Sequence, residues 1–369
     1  MDADAIVVGG GIVGAACARE LARGGMHVIV LEAGTVGCAA TAAGMGHLVA
    51  MDDSPDQLAL TAYSVGLWRE LSPALPAAAE YDACGTLWLA EDDAQMLAVE
   101  EKQRVYQAHG IAAEIVDAQR LATLEPNLRG GLQGALRVPG DAVVYSPRAA
   151  VAILDEARSG GTDVREGTRV DRIGDGAAYV DGKRVRAPVI INAAGLHASS
   201  LVPDLPIVPR KGHLAITDRA PGLVKHQLVE LGYLTSAHVM TSESVAFNVQ
   251  PRRTGQVLIG SSRELVGWDD STNRRLLKRM LARAVEFMPS LATLKVTRTW
   301  TGFRPATADK LPLIGAWPAI PGLWIAAGHE GLGITTSLGT AHLLADLILG
   351  RTPAIDAHAF RPDRVMALT

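Results

Sequence analysis

The chain has 369 residues and a formal net charge of −4 that is spread without runs of like charge, which argues against a nucleic-acid partner and a basic membrane-binding stripe. Its mean hydropathy is +0.17, but the longest apolar stretch, near residues 341–349, is broken by Asp346, so no transmembrane segment is predicted. The acidic Met-Asp-Ala-Asp start lacks signal-peptide features and the three cysteines are isolated, so we expect a cytoplasmic protein.

The first predicted elements are a strand, a tight glycine turn and a helix. Ala5 to Val8 is a short apolar run, three glycines follow it, and apolar positions then recur at helical spacing from Ile12 to Leu21. A second strand, His27 to Leu31, ends at Glu32. This is the context in which a GxGxxG motif indicates dinucleotide binding. The alternative is a glycine turn in another kind of βαβ unit.

Each residue type in this motif has a physical task. Gly9 makes the turn, Gly11 lets a pyrophosphate approach the backbone, and Gly14 lets the helix pack on the strand. The helix N-terminus faces the phosphates, and Glu32 accepts a hydrogen bond from a ribose hydroxyl. The predicted cofactor contacts of this unit are Gly9, Gly11, Ile12, Val13, Gly14, Glu32 and Ala33.

Residues 34–50 are almost free of charge and rich in small side chains. This composition fits backbone lying against a flat ligand, with amides from Thr41 to Met45 as donors, and it fits an alanine-rich loop equally well. His47 closes the stretch, and a lone histidine is more often structural than catalytic. Further along, we predict helices over 54–70, 94–109 and 116–124, and a strand over 84–89.

The second half begins with another βαβ-like unit. A helix over 147–158 precedes a strand within 162–170, and Asp175-Gly176 and Asp181-Gly182 predict two hairpin turns. A buried strand then enters a turn at Ala194-Gly195, where more of a nucleotide would pass. We predict antiparallel strands over 211–217, 232–235, 245–249, 257–261 and 293–302, helices over 273–288 and 336–349, and a strand over 323–327.

With this order established, the chain resembles the FAD-dependent oxidoreductases of the D-amino-acid oxidase type, especially the glycine oxidase branch. The resemblance rests on GGGIVG with Glu32, AAGM at 42–45, INAAG at 191–195, GFRP at 302–305, AAGHEGLGI at 326–334 and AHAFRPDR near the C-terminus. It implies an α/β fold in which a Rossmann-like FAD-binding domain (1–82, 146–209 and 302–369) is interleaved with an antiparallel-sheet substrate domain (83–145 and 210–301). It also implies non-covalent FAD, because the members that tether flavin use a C-terminal cysteine and this chain has none after Cys84.

The same resemblance places the remaining site residues. Arg304 matches the arginine that binds the substrate carboxylate, and a planar guanidinium suits that task. Amides at Gly331 and Gly333, before a helix, would face the negative charge that develops on the flavin. The other predicted cofactor contacts are Thr41, Ala42, Ala43, Gly44, Met45, Val170, Ala194, Gly195, Gly328, His329, Glu330, Leu332, Ile334 and Thr335. No metal site is predicted.

Several positions depart from the family pattern toward polar residues. Asn248 stands where a tyrosine is frequent, with Tyr233 as its substitute, and Arg263 and Glu330 replace apolar and aromatic residues. Together with His47, these residues suggest a substrate with an extra polar group. The segment QPRRTGQVLIGSSRE resembles hydroxyproline and proline dehydrogenases, so the first choice of function is a D-hydroxyproline or D-proline dehydrogenase.

The predicted reaction is removal of hydride from the carbon beside an amine of a small amino acid, giving an imine. The electron acceptor is oxygen or a quinone- or dye-type molecule, and the sequence leaves a homo-oligomer open. The alternatives are glycine or sarcosine oxidase or another D-amino-acid oxidase, a flavin subunit of a hetero-oligomeric dehydrogenase, and an NAD-binding module.

Overall fold

The structure, a computed structural model, describes residues 1–232 and 243–368. The strands are β1 (Ala5–Val8), β2 (Val28–Leu31), β3 (His47–Leu48), β4 (Thr86–Ala90), β5 (Glu114–Asp117), β6 (Gly134–Val138), β7 (Ala142–Val143), β8 (Asp163–Arg165), β9 (Arg172–Gly174), β10 (Ala177–Val180), β11 (Lys183–Arg186), β12 (Val189–Asn192), β13 (Val208–Arg219), β14 (Gln227–Glu230), β15 (Glu243–Pro251), β16 (Gln256–Glu264), β17 (Val296–Ala306), β18 (Leu313–Ala316) and β19 (Leu323–Ala327). The α-helices are α1 (Ile12–Arg23), α2 (Ala39–Ala43), α3 (Pro55–Leu71), α4 (Asp93–Ala108), α5 (Ala118–Leu124), α6 (Ser146–Ser159), α7 (Ala198–Leu201), α8 (Arg274–Phe287) and α9 (Gly333–Ile348).

A six-stranded sheet forms the first half of the fold, in the order β18-β19-β12-β1-β2-β8. Its strands run parallel except for the β18–β19 pair. Both faces are covered by buried apolar side chains, which is why β1 and β2 are apolar at every position instead of alternating. This sheet confirms the predicted α/β fold with a Rossmann-like unit at its centre.

An eight-stranded sheet forms the second half, in the order β17-β13-β16-β15-β14-β4-β6-β5. Neighbouring strands are antiparallel except β14 and β4, which are parallel. Two distant segments of the chain, 86–138 and 208–306, therefore build one sheet, and α8 covers part of it through Met280 and Phe287. The sheet has the predicted antiparallel character, and the exact domain boundaries stay a prediction.

The two predicted hairpin turns are present. Asp175 and Gly176 have φ of +53° and +65°, and Asp181 and Gly182 have φ of +48° and +74°. Positive φ at both central residues is the signature of the two-residue turn that Asp-Gly favours. They connect β9, β10 and β11 into the predicted meander.

Several predicted boundaries were wrong. The helix predicted over 116–124 begins at Ala118, because Val116 pairs with Ala135 in the sheet and the Asp117 side chain accepts a hydrogen bond from the Arg120 amide. Strand β17 continues past residue 302 to Ala306, because β13 pairs with it along that length. Helix α9 begins three residues earlier than predicted, at Gly333, and β14 was not predicted. The strand predicted over 232–235 lies almost entirely outside the described residues.

Within the described ranges, no helix has both the length and the apolar composition needed to cross a bilayer. A cytoplasmic location stays a prediction.

Two glycines on facing helices give a stability prediction. A Cβ added at Gly66, inside α3, meets no atom within 4 Å, whereas one at Gly339, inside α9, would lie 2.2 Å from Ser64 Oγ. Because alanine has a higher helix propensity than glycine, Gly66→Ala should raise the free energy of unfolding by about 0.5–1 kcal/mol. Gly339→Ala should lower it, since the two helices must separate. Urea unfolding of both variants checks this, and equal shifts of the same sign would contradict it.

Candidate functional site

A cavity of about 520 Å³, here called the large cavity, lies between the glycine turn after β1 and the eight-stranded sheet. Most of the predicted cofactor contacts line it: Gly9, Gly11, Ile12, Val13, Glu32, Ala33, Thr41, Ala43, Gly44, Met45, Val170, Ala194, Gly195, His329, Glu330, Gly331, Gly333 and Ile334. The topology thus brings four segments that are far apart in sequence to one cavity.

The glycine turn has the geometry that its motif predicts. Gly9 has φ of +108°, and a Cβ there would lie 2.6 Å from the Ala193 carbonyl oxygen. A Cβ on Gly14 would lie 1.9 Å from the Gly9 carbonyl oxygen, so Gly14 serves the packing of α1 on the turn. A Cβ on Gly11 would meet only Thr41 Oγ1, at 3.3 Å, and its open side faces the large cavity.

Glu32 stands at the end of β2 on the wall of the large cavity. Its carboxylate accepts hydrogen bonds from the Gly10 and Gly34 amides, both at 2.6 Å. These two bonds fix the carboxylate beside the turn, where an acidic residue of a dinucleotide-binding unit meets a ribose hydroxyl.

Some predicted contacts do not line the large cavity. Gly14 packs beneath the turn, and Ala42 and Gly328 are absent from the wall that the described residues form. The Thr335 hydroxyl donates a hydrogen bond to the His47 carbonyl, at 2.8 Å. Leu332 lines a neighbouring pocket instead.

That neighbour, here called the inner pocket, has about 70 Å³ of room. It adjoins the large cavity, and His47, Asn248, Glu330 and Gly331 belong to both walls. Its other lining residues are Val49, Met51, Asp53, Gln57, Trp88, Arg210, Gln227, Val229, Arg263, Lys310 and Leu332. Four predicted site residues, His47, Asn248, Arg263 and Glu330, are therefore brought together here. Tyr233 lies outside the described residues.

Arg304 reaches the wall of the large cavity from β17. It stands opposite Arg210 on β13, and its Nη1 donates a hydrogen bond to the Ser262 carbonyl at 3.1 Å. The guanidinium occupies the space above Gly212, where a Cβ would lie 2.5 Å from Nη1. The absence of a side chain at Gly212 therefore makes room for Arg304.

Glu330 is a carboxylate surrounded by guanidinium groups. Burial alone would raise the pKa of Glu330, but Arg304, Arg263 and Arg210 outweigh it and hold this pKa below its ordinary value. The Arg210 Nη1 atom lies 3.4 Å from Glu330 Oε1. The Gly331 amide donates a hydrogen bond to the Glu330 side chain. It is therefore not open to the cavity, contrary to the prediction.

His47 is uncharged at neutral pH. Burial lowers the pKa of His47 to about 4, and the Arg304 guanidinium acts in the same direction. It thus joins the site as a neutral hydrogen-bonding group and not as a cation.

This lowered pKa predicts a pH-dependent stability. Between the ordinary histidine pKa of 6.5 and about 4, the unfolded chain binds a proton at His47 that the folded chain does not bind. The contribution of His47 is therefore complete above pH 6.5 and is lost as the pH falls toward 4. We expect the difference in unfolding free energy between wild type and His47→Gln to shrink from pH 7 to pH 4.5 in urea titrations. Parallel curves for the two proteins would contradict this.

The sequence reasoning missed Arg210, Gln227 and Lys310. Arg210 is the third residue of β13 and is buried, but its neighbours Pro209 and Lys211 form no apolar pattern that could have pointed to it. Lys310 and Gln227 carry no signal either, because each reaches the pocket only through the folding of distant segments.

Comparison with known proteins agrees with this geometry. The family model described as FAD dependent oxidoreductase (DAO) matches residues 4–347. The chain belongs to the DAO family of FAD-dependent oxidoreductases. It is 30% identical to a glycine oxidase of Pseudomonas aeruginosa over 97% of this chain and 98% of that protein.

Two solved structures extend the comparison of this DAO-family enzyme. The glycine oxidase of Geobacillus kaustophilus superposes with a TM-score of 0.88 at 26% identity, covering 98% of both chains. An iminodiacetate oxidase from a Chelativorans species superposes with a TM-score of 0.83 at 29% identity, covering 97% of this chain and 98% of that one. The chain is therefore an FAD-dependent amino-acid oxidoreductase, and the NAD-binding module is set aside.

The residues present fit FAD. The large cavity begins at the open side of Gly11, passes the fixed Glu32 carboxylate and ends beside Arg304. Of the three cysteines, only Cys38 lines it, and the Cys38 thiol lies 3.6 Å from Glu32 Oε1, at the end assigned to the ribose.

We therefore predict that the flavin is held without a covalent bond. Acid precipitation should release all of it into the supernatant, because no thiol of this chain lies at the end of the cavity near Arg304. Absorbance of the separated supernatant and pellet measures this. Yellow colour that stays with the denatured pellet would contradict it.

Proposed function

We propose that this DAO-family enzyme oxidises a small amino acid of the glycine or sarcosine type at the carbon that bears the amine. The observation that carries the proposal is the position of Arg304 on the wall of the large cavity, opposite Arg210 of the inner pocket. A guanidinium there would hold the substrate carboxylate by two parallel hydrogen bonds and turn the neighbouring carbon toward the cofactor.

The hydroxyproline prediction is not confirmed, and the comparisons support the glycine oxidase alternative better. The segment that suggested it forms the β15–β16 hairpin. There Arg252 pairs with Glu80 at 2.9 Å, and Arg253 donates to the Tyr81 carbonyl at 3.1 Å. These contacts hold the turn of the hairpin, whereas Arg263 of the same segment lines the inner pocket.

Each group has a defined part in the proposed reaction. Bound FAD supplies the acceptor for the hydride that leaves the substrate carbon. Arg304 fixes the carboxylate, and the neutral His47 and the Asn248 amide supply hydrogen-bonding groups without a further positive charge beside the amine. The imine product is then open to hydrolysis by water. Oxygen, or a quinone- or dye-type acceptor, would take up the electrons.

Anaerobic flavin bleaching tests the proposal. Glycine and sarcosine should bleach the flavin faster than D-proline and D-hydroxyproline, and readmitted oxygen then tells an oxidase from a dehydrogenase. Failure of every amino acid to bleach the flavin would overturn the proposal. A partner chain that co-purifies and restores activity would favour the alternative of a hetero-oligomeric flavin subunit.

A further inference from the structure

The inner pocket carries more positive than negative charge. Its wall holds three cations and two carboxylates, from Arg210, Arg263, Lys310, Asp53 and Glu330. Arg304 adds a fourth cation on the wall of the adjoining large cavity. A substrate with one carboxylate and a neutral amine would bring one negative charge to these cations, whereas a substrate with two carboxylates would bring two.

Two of the cations that surround the pocket are deep in the protein. Arg210 and Arg263 are 3% and 4% exposed. Together with Arg304, they hold the pKa of the Glu330 carboxyl below its ordinary value. A site that already stabilises one carboxylate in this way has the electrostatics to stabilise another.

Buried amide groups add a second, independent observation. The side-chain oxygens of Gln57, Gln227 and Asn248 have no hydrogen-bond partner among the described residues, although these residues are 3%, 1% and 3% exposed. A buried polar group without a partner destabilises the protein, so a polar ligand is expected here. Rotation of such a side-chain amide by 180° exchanges its oxygen and nitrogen, so that the N–H₂ group can donate a hydrogen bond to a carboxylate in the pocket.

The sheet sets the spacing between the two ends of such a ligand. Arg210 and Arg304 are directly opposite on antiparallel strands, so their side chains leave the same face with Cβ atoms about 5 Å apart. The inner pocket, with about 70 Å³ of room, holds a group of the size of a carboxymethyl. A second acidic group only a few bonds from the amine-bearing carbon would fit.

We propose that the substrate is an amino acid with a second acidic group, which the inner pocket binds while Arg304 holds the α-carboxylate. The inference rests on the proposed function and narrows its substrate class. The second carboxylate is carried either on the nitrogen, as N-carboxymethyl, or on the side chain, and both place the same chemistry in the pocket.

Matched substrate pairs test this on the holoenzyme. Anaerobic flavin reduction is measured with sarcosine against iminodiacetate, and with D-alanine against D-aspartate. In at least one pair the diacid should exceed the monoacid by about 30-fold or more in kcat/KM, as expected for a buried charged hydrogen bond. Equal efficiency within both pairs overturns the inference but leaves the proposed function standing. No reduction by any of the four overturns the proposed function itself.

Variants show whether the inner pocket causes the preference. Arg263→Gln and Arg210→Gln should bring the diacid-to-monoacid ratio close to one. Arg137→Gln is a matched control, since Arg137 pairs with Glu114 at 2.6 Å on the far edge of the same sheet and should retain the ratio. A ratio that survives in both pocket variants would overturn the assignment.

A binding measurement needs neither turnover nor a variant. Succinate and propionate are titrated into wild-type holoenzyme, and the perturbation of the flavin spectrum is followed. Succinate should bind at least about tenfold more tightly, and the difference should shrink with added salt. Equal binding of the two acids would overturn the inference even if the arginine variants failed to fold.

Discussion

Replacing Arg304 with lysine should lower kcat/KM for an amino acid by roughly 30-fold to several-thousand-fold. Lysine keeps the charge but loses the planar pair of donors, so the carboxylate is attracted without being oriented. Loss of a buried charged hydrogen bond costs on the order of 2–5 kcal/mol, which corresponds to that range. The measurement is the anaerobic reductive half-reaction of wild type, Arg304→Lys and Arg304→Ala.

The matched control for Arg304 is a substrate rather than a variant. An amine without a carboxylate makes no contact with Arg304. Its slow rate of flavin reduction should therefore change little in the variants, while the rate with the amino acid falls strongly. Flavin content should stay normal, because Arg304 is assigned to substrate. Gly212→Ala should reproduce part of the defect, since its Cβ would displace the guanidinium from the place where it lies. Equal losses on amino acid and amine would show that Arg304 supports the fold or the flavin, and its carboxylate role would be withdrawn.

Replacing Gly11 with valine should weaken FAD binding by at least about 100-fold, or about 3 kcal/mol. The backbone of Gly11, with φ of −65° and ψ of 176°, suits any residue. The protein itself leaves room for a Cβ there, because Thr41 Oγ1 at 3.3 Å is its single neighbour within 4 Å. The added side chain therefore fills space that the pyrophosphate needs, and the apoprotein should remain folded. Flavin content and urea unfolding of the apoprotein measure the two effects separately.

Gly9→Ala is the contrasting variant. It places a Cβ 2.6 Å from the Ala193 carbonyl at a φ that alanine rarely adopts, so it should lower both flavin content and stability. Normal flavin content in Gly11→Val would mean that the cofactor follows another path through the cavity.

Local patterns predicted the elements of the fold well. The glycine turn after β1, the Asp-Gly hairpins and the capped helices were readable because each depends on residues close together in sequence. The parallel pairing of β14 with β4 was not readable, because it joins segments about 140 residues apart and leaves no local pattern. The start of α5 was misplaced for a related reason, since Val116 pairs with a strand that follows it.

The site residues that belong to a recognisable sequence motif could be predicted. Motif residues such as Gly11, Glu32 and Arg304 were placed on the large cavity from sequence and resemblance, and they do line it. The excess of positive over negative charge in the inner pocket was not predictable, because Arg210 and Lys310 belong to no motif and come together only in the folded protein. Under the proposal made above, this pocket selects the substrate, and no sequence motif describes it.

The late place of β19 in the chain has a consequence for how the protein acquires its cofactor during synthesis. β19 lies between β18 and β12 in the six-stranded sheet, and α9, which follows it, packs on α1 and α3. When the glycine turn has been synthesised, only one wall of the large cavity exists. The residues of the wall from His329 to Ile334 are synthesised about 300 codons later. We therefore expect flavin to bind only late in synthesis, and a nascent chain stalled before β19 should carry no flavin.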